Sequence, residues 1–392
     1  MHDRLRILFL APQPFFEVRG TPLAVLHLVR ALAALGHSVD LLTFPQGADA
    51  PVDGVRHLRS LPLPVGRVKA GPSLAKAALD VPFVAEAAAR LALGRYDVVH
   101  AVEEAAHLVA PFARAFGVPL IMDVDSSIPD QLRYSGFATR GPLLRLAEAL
   151  ERHALAHAAA AVTVCASLTE GVQERAPGVP VFQIEDPPLT DQTRLPGAEA
   201  ASALRRELGL DARPVALYSG NFEPYQGVEL LAEASAELPD AQVVFMGGEP
   251  HEVERLRARA RETGAGERCA FAGKRPPAEL PVFLAAADVL VSPRLKGTNT
   301  PFKIFTYLAS GRPIVATRIA SHTQLLDDDL AVLVEPTAAG VAAGIRSTLA
   351  DPAAARARAE RGLALVEREY SETRYREKVA RAYAAVAELA RR

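Results

Sequence analysis

The sequence predicts an α/β protein with two doubly wound parallel sheets, and three observations carry that expectation. Through the first half, short apolar runs alternate with longer helical patterns, as in a parallel sheet covered on both faces. In the second half the run DVLVSPRLKGTNTPFKIFTYLASGRPIVAT, Asp288 to Thr317, reads as one strand–loop–helix–strand unit of such a sheet. The chain has 392 residues, 49% of them hydrophobic. That is too long for one ordinary core and rich enough in apolar side chains for two.

Taken in order, the strand candidates of the first half are RILFLAP, VDLLTF, VRHLRS, DVVHAV, PLIMDVD, AAVTVC and VFQIED. Helical patterns lie between most of them, at Thr21–Leu35, Leu74–Leu93, Glu103–Phe116 and Pro142–Ala158. The loop Ala11–Gly20 ends on a glycine that opens the first helix, which alone marks a turn. From Val55 to Lys76 the chain carries Arg56, His57, Arg59, Arg67, Lys69 and Lys76. This is either a basic patch for an anionic membrane or a lipid-linked diphosphate, or a solvated loop and helix start; the second reading is preferred. His100 stands at a strand end, as a site residue or a packed, satisfied histidine. Asp123 and Asp125, two apart, point to one side of the next strand end. They read as site carboxylates or as loop caps for Ser126 and Ser127.

Pro187 to Gly197 is proline-rich and polar, and reads as a linker before the second sheet begins at Pro214. There PVALYSG and AQVVFMGG supply two strands, with Gly247–Glu249 just past the second. DVLVSP is a buried strand that stops at Pro293. In the following helix, from Pro301 to Ser310, Thr300 suits the N-cap and Pro301 the first helical position; Gly311 ends it and PIVAT starts another strand. A helix beginning just past a parallel strand aims free N–H groups at an anion. Arg294, Lys296 and Lys303 add positive charge, and Thr298, Asn299 and Thr300 add polar groups. The set fits a diphosphate, or equally a solvated basic loop capping an ordinary helix. The tail from Glu372 to Arg392 is a charged, alanine-rich helical pattern.

Composition excludes several classes. A net charge of −2 gives no general attraction to nucleic acid. The two cysteines, Cys165 and Cys269, lack metal-ligand spacing and suit a reduced, cytoplasmic compartment. The apolar run near the N-terminus is too short for a signal peptide, and no run reaches the length of a spanning helix. The expectation is a soluble protein.

YLASGRPIVAT, the opening glycine and helix followed by GHSVDLLT, and the run YSGNFEPYQG to VVFMGG together resemble retaining glycosyltransferases of the family-four type (glycosyl transferases group 1), which have the GT-B fold. The resemblance implies two Rossmann-like domains facing an interdomain cleft. It places the N-terminal acceptor-side domain at 1–190, a linker region at 191–213, the nucleotide-sugar domain at 214–370, and at 371–392 a helix that returns to the first domain. It also implies transfer of a sugar from a nucleotide-diphosphate donor to a hydroxyl of a glycan or lipid-linked acceptor. The sugar nucleotide is then a co-substrate, with no further cofactor, no metal and no nucleic-acid partner. A peripheral contact with the inner face of the membrane fits a lipid-linked acceptor.

Carried onto this sequence, the donor contacts fall on Gly20, Asn221, Gln226, Gly248, Lys274, Arg294, Thr298, Asn299, Thr300, Lys303 and Thr306. Asp125 and His100 fall beside the donor sugar as the catalytic candidates. The chain departs from the family where two glutamates become Thr298 and Thr306, and where an arginine and a lysine become Asn221 and Gln226. These departures raise the rival reading of a nucleotide-sugar-binding or scaffold protein without catalysis. A nucleotide-sugar 2-epimerase of the same fold ranks last, because its acid/base set is not recognisable here.

Overall fold

The computed structural model describes residues 4–17, 20–66, 73–134, 140–190 and 192–390. The chain divides into two compact units, Met1–Asp186 with Thr373–Arg392, and Pro187–Glu372.

The first unit holds seven parallel strands: β1 (Arg6–Ala11), β2 (Ser38–Thr43), β3 (Val55–Arg59), β4 (Val98–Val102), β5 (Leu120–Val124), β6 (Ala160–Thr163) and β7 (Val181–Gln183). Their order is β3-β2-β1-β4-β5-β6-β7, so the sheet changes winding direction between β1 and β4. Six lie within the apolar runs read from the sequence, and β2 begins one residue before its run. The helices are α1 (Gly20–Ala34), α2 (Leu74–Leu93), α3 (Glu104–Ala115), α4 (Ile128–Tyr134), α5 (Pro142–His157) and α6 (Ala166–Arg175). Successive strand residues serve opposite faces. Leu8 and Leu10 join a core with Phe83 of α2, Val109 of α3 and Leu155 of α5. Ile7 and Phe9 join a second core with Val29 of α1.

The second unit contains β8 (Val215–Ser219), β9 (Gln242–Met246), β10 (Cys269–Gly273), β11 (Val289–Ser292), β12 (Ile314–Thr317) and β13 (Val332–Val334), again all parallel. The order is β10-β9-β8-β11-β12-β13, and the winding reverses between β8 and β11. Its helices are α7 (Ala198–Glu207), α8 (Val228–Ala234), α9 (Pro250–Glu262), α10 (Leu280–Ala286), α11 (Phe302–Ala309), α12 (Ala320–Thr323), α13 (Ala338–Ala350) and α14 (Pro352–Leu365). The 191–213 stretch is more than a connector: α7 lies within it and buries Leu204 in a core with Leu284 and Leu290. One helix boundary differs from the sequence reading. Pro301, at φ −65° and ψ 130°, is still extended and is itself the N-cap, so α11 starts one residue later and Thr300 does not cap it.

The last helix, α15 (Glu372–Ala390), completes the first unit. Its Tyr375, Val379, Tyr383 and Val386 are buried in the core that holds Ile7 and Phe9. Tyr383 Oη lies 2.8 Å from Nδ1 of His100, and the His100 ring stacks on Phe9 with centroids 4.4 Å apart. Lys378 pairs with Glu185 beside it. Tyr383→Phe is expected to leave a buried imidazole nitrogen without its donor, costing about 1–2 kcal/mol. Urea unfolding would measure this, and an unchanged midpoint would remove the bond from the account.

Candidate functional site

The C-terminal ends of β8, β9 and β11 bring three loops of the second unit together, and glycine makes their approach possible. Gly247, just past β9, has φ +126°, and a Cβ there would lie 1.8 Å from the Gly220 carbonyl oxygen. Gly248 has φ +79°, and its Cβ would meet the Phe222 ring at 2.4 Å. Side chains are excluded from both positions by geometry and by backbone conformation.

Lys303, in the first turn of α11, reaches into this convergence. Its Nζ sits 3.8 Å from the centroid of the Tyr218 ring and donates to Gln226 Oε1 at 3.3 Å. A Cβ on Gly220 would lie 2.8 Å from that ammonium. Among the described residues no carboxylate pairs with Lys303. Burial, with a smaller push from Arg294, therefore pulls its pKa well below the usual lysine value. A cation desolvated without a counter-ion is costly to the fold, and no side chain caps the helix turn that carries it.

The remaining sequence candidates divide. Arg294 is spent on its own loop: it donates to the Lys296 carbonyl at 2.9 Å and to the Asn299 carbonyl and side chain at 3.2 Å, and lies over Tyr225. It shapes the loop and holds Asn299. Thr298 offers its carbonyl to Gln324 at 2.8 Å. Thr300 is buried. Thr306, expected at a ribose, is 1% exposed and its Oγ1 accepts from the Leu189 amide at 3.0 Å; it anchors the segment that enters this unit. Asn221 is exposed and accepts from Glu223 N–H. Lys274 is an exposed partner of Glu249 at 3.3 Å.

Sequence reasoning missed the support beneath the loop. His322 is buried between Ser292 Oγ at 2.9 Å and the Thr317 carbonyl at 2.7 Å. Burial depresses its pKa to about 4, so it is a neutral imidazole that donates to the carbonyl and accepts from the serine. Tyr307 Oη accepts from the Ser219 amide at 2.9 Å. His322 carries no spacing signal that would have marked it, whereas Tyr307 lies four residues after Lys303 and shares its helix face.

In the first unit the candidate site is acidic. Asp125 follows β5 and bonds to Thr21 near the start of α1. Burial first, then the charges of Asp123, Glu103 and Asp186, hold its pKa well above the usual carboxylate range. Asp186, beyond β7, is pushed up to about 7 by burial, with Asp123 and Glu185 adding to the rise. Glu103 sits at φ +50° and accepts from Ser126 at 2.9 Å. Gly20 opens α1 with open space around it. His100 does not join this group as a reactive side chain. It is 0% exposed, with Nε2 2.9 Å from Asp123 Oδ2 and Nδ1 held by Tyr383. It is the packed, satisfied histidine. Among the described residues no three His, Cys, Asp or Glu side chains are arranged to hold a metal ion.

The basic stretch is also resolved in part. Arg56 pairs with Asp40, Arg59 with Asp49, and Lys76 with Glu103 and Glu104. Arg67 and Lys69 lie outside the described residues.

Two family models match the chain: the glycosyl transferase 4-like domain over residues 19–181 and glycosyl transferases group 1 over residues 213–351. The chain belongs to the group 1 glycosyltransferases. This group 1 glycosyltransferase is 23% identical to the sulfoquinovosyl transferase of Arabidopsis thaliana over 82% of its own length and 61% of that protein's. It thus spans about three fifths of that relative. Among solved structures it resembles sucrose-phosphate synthase from Thermosynechococcus elongatus, with a TM-score of 0.79, 23% identity and coverage of 97% and 98% of the two chains. It also resembles an Anabaena protein solved with UDP-glucose, with a TM-score of 0.77, 17% identity and coverage of 97% and 100%. The two parallel sheets and these neighbours make the fold GT-B.

In both units the charged form opposes folding, and the two give stability opposite dependences on pH. Asp186 has a folded pKa above its unfolded value, so its contribution is complete below about pH 4 and is lost as pH rises through about 7. Asp186→Asn is expected to flatten the fall in melting temperature across that window. Lys303 has a folded pKa below its unfolded value, so the charged form opposes folding. Lys303→Met is expected to raise the melting temperature by a few degrees; a lower one would mean that the ammonium is well solvated.

Proposed function

We propose that the protein transfers a sugar from a nucleotide-diphosphate donor to an acceptor hydroxyl, with the diphosphate held at the first turn of α11. The observation that carries this reading is Lys303, a half-buried ammonium that no carboxylate among the described residues pairs with, at a helix start without a side-chain cap. A diphosphate supplies the missing counter-charge, and the loops around Gly220 and Gly247 admit its backbone contacts. As the sugar–oxygen bond breaks, negative charge grows on the departing diphosphate. Lys303 and the helix amides stabilise that charge without reorganising. Membership of the family, and the UDP-glucose bound by the Anabaena neighbour, support a sugar nucleotide as the donor.

Retention of anomeric configuration and independence from a metal ion follow the family reading, as does a glycan or lipid-linked acceptor in polysaccharide or glycoconjugate assembly. Asp125 is assigned to the donor sugar. Burial and the neighbouring carboxylates favour its neutral form, which can donate to a sugar hydroxyl, and positive charge developing nearby favours its carboxylate. No covalent nucleophile is assigned.

A thermal-shift series with UDP, GDP, ADP, TDP and their sugars tests donor binding, because a ligand of the native state raises its melting temperature. One nucleotide is expected to give a clear shift that Lys303→Met abolishes and Lys296→Ala retains. Equal, small effects of the two variants would overturn the assignment. Binding should also take up a proton wherever Lys303 is neutral in the free protein, so affinity falls as pH rises above its lowered pKa. Calorimetry in buffers of different ionisation enthalpy measures that uptake.

A second reading has its own observation. Asn221 and Gln226 stand where the family pattern carries an arginine and a lysine, and charge-assisted bonds to a diphosphate are roughly twice as strong as neutral ones. Donor binding without transfer to any acceptor would select a binding or scaffold protein. Transfer that Asp125→Asn slows, with donor affinity little changed, would select the enzyme.

A further inference from the structure

A cavity of about 300 Å³ opens in the second unit between α7 and the end of α10, large enough for a small metabolite. One wall is a single face of α7, with Ala198, Ala201, Ser202 and Arg205 at helical spacing. The other holds Ala285 of α10 and Arg312, which follows α11 and precedes β12. Asp288, just before β11, accepts from the Val215 amide that starts β8. The cavity therefore lies at the edge from which the parallel strands start, and the loops around Gly220 and Gly247 leave from the opposite edge.

Two guanidinium groups converge here. Arg205 donates from Nε and Nη2 to the Ala286 carbonyl at 3.0 and 2.8 Å, and from Nη2 to Asp288 at 2.6 Å. Arg312 donates from Nη2 to the neighbouring Ala285 carbonyl at 2.8 Å. Nη1 of Arg205, and Nε and Nη1 of Arg312, donate to no described residue. Asp288 thus balances one of the two cations. Glu207 and Glu279 are bound to Arg275, and Glu199 is exposed on α7 and does not line the cavity.

Holding two carbonyls at a helix end takes one donor each. It does not require two forked cations with N–H groups left over. A phosphate monoester matches the surplus, because its oxygens accept from guanidinium forks in pairs. Ser202 adds a hydroxyl, and the alanines leave room for a short carbon skeleton. We propose that this cavity binds a small phosphate monoester across Arg205 and Arg312, as a second anion site apart from the donor diphosphate. Lys303 stands in the first turn of α11 and Arg312 just past its end, so the two sites lie at opposite ends of one helix. The inference uses none of the donor residues and does not depend on their assignment.

Calorimetry and thermal shift on the full chain carrying Lys303→Met test it, since that background lacks the cation of the donor site. Glycerol 3-phosphate at millimolar concentration is the probe, against sodium chloride of equal ionic strength. It is expected to bind and to raise the melting temperature. Arg312→Gln keeps an N–H donor but loses the charge, and should weaken binding by about tenfold or more. Ser202→Glu, at an exposed helix position, places a carboxylate beside the guanidinium groups and should abolish binding without unfolding the chain. Three results would overturn the proposal: no shift beyond that of chloride, full binding by both added variants, or a shift in the unaltered chain that the Lys303→Met background lacks.

Discussion

Both sheets are parallel, and that constraint organises everything else. A parallel sheet leaves no face for water, so each strand must be apolar on both sides and each face must be roofed by helices. It also sends every strand's C-terminal end to the same edge, where the loops leave. In the first unit, one face is roofed by α2, α3, α5 and α6. The other receives α1 from the same stretch of chain and is completed by α15. The contact between Tyr383 and His100 is the polar pin in that otherwise apolar roof, and it gives a fully buried histidine in the middle of a strand a hydrogen-bond partner.

At the strand ends the two units carry opposite electrostatic burdens. The second unit half-buries a cation that no carboxylate among the described residues pairs with; the first collects carboxyls, and burial with neighbouring negative charge raises the pKa of Asp125 and Asp186. Each arrangement is less stable than an apolar filling of similar shape would be. Such costs concentrate at functional sites, where a ligand supplies what the fold withholds. The rigid parts nearby are neutral and fully bonded: His322, Tyr307 and Thr306 hold backbone, and Arg294 holds its own loop.

Most of the fold was legible because valine, leucine and isoleucine runs of strand length are hard to place anywhere but a buried parallel sheet. The switch from β11 to α11 was legible too, through Pro293, Gly297 and Pro301. The start of α11 was read one residue early, since a proline fits both the N-cap and the first turn and only its ψ angle separates them. The roles of individual polar residues were less legible. Thr306 and Lys303 lie three apart on one helix, yet one is consumed by an amide from a distant segment and the other is left without a counter-charge. Burial and long-range partners decide between such outcomes, and neither is written in local spacing. The surroundings of His100 and Arg294 were hidden for the same reason, since the partners that hold them lie partly outside the motif.

The division of the chain has a consequence for how the molecule is made. The second unit is one unbroken segment, Pro187–Glu372, while the first is interrupted by it and recovers Thr373–Arg392 only afterwards. During synthesis the second unit therefore has all its residues before the first does. Until α15 emerges, the side of the first sheet that carries Ile7 and Phe9 lacks part of its roof and offers an apolar surface to whatever is near. A truncation within the last helix thus acts on the half of the molecule that was synthesised first.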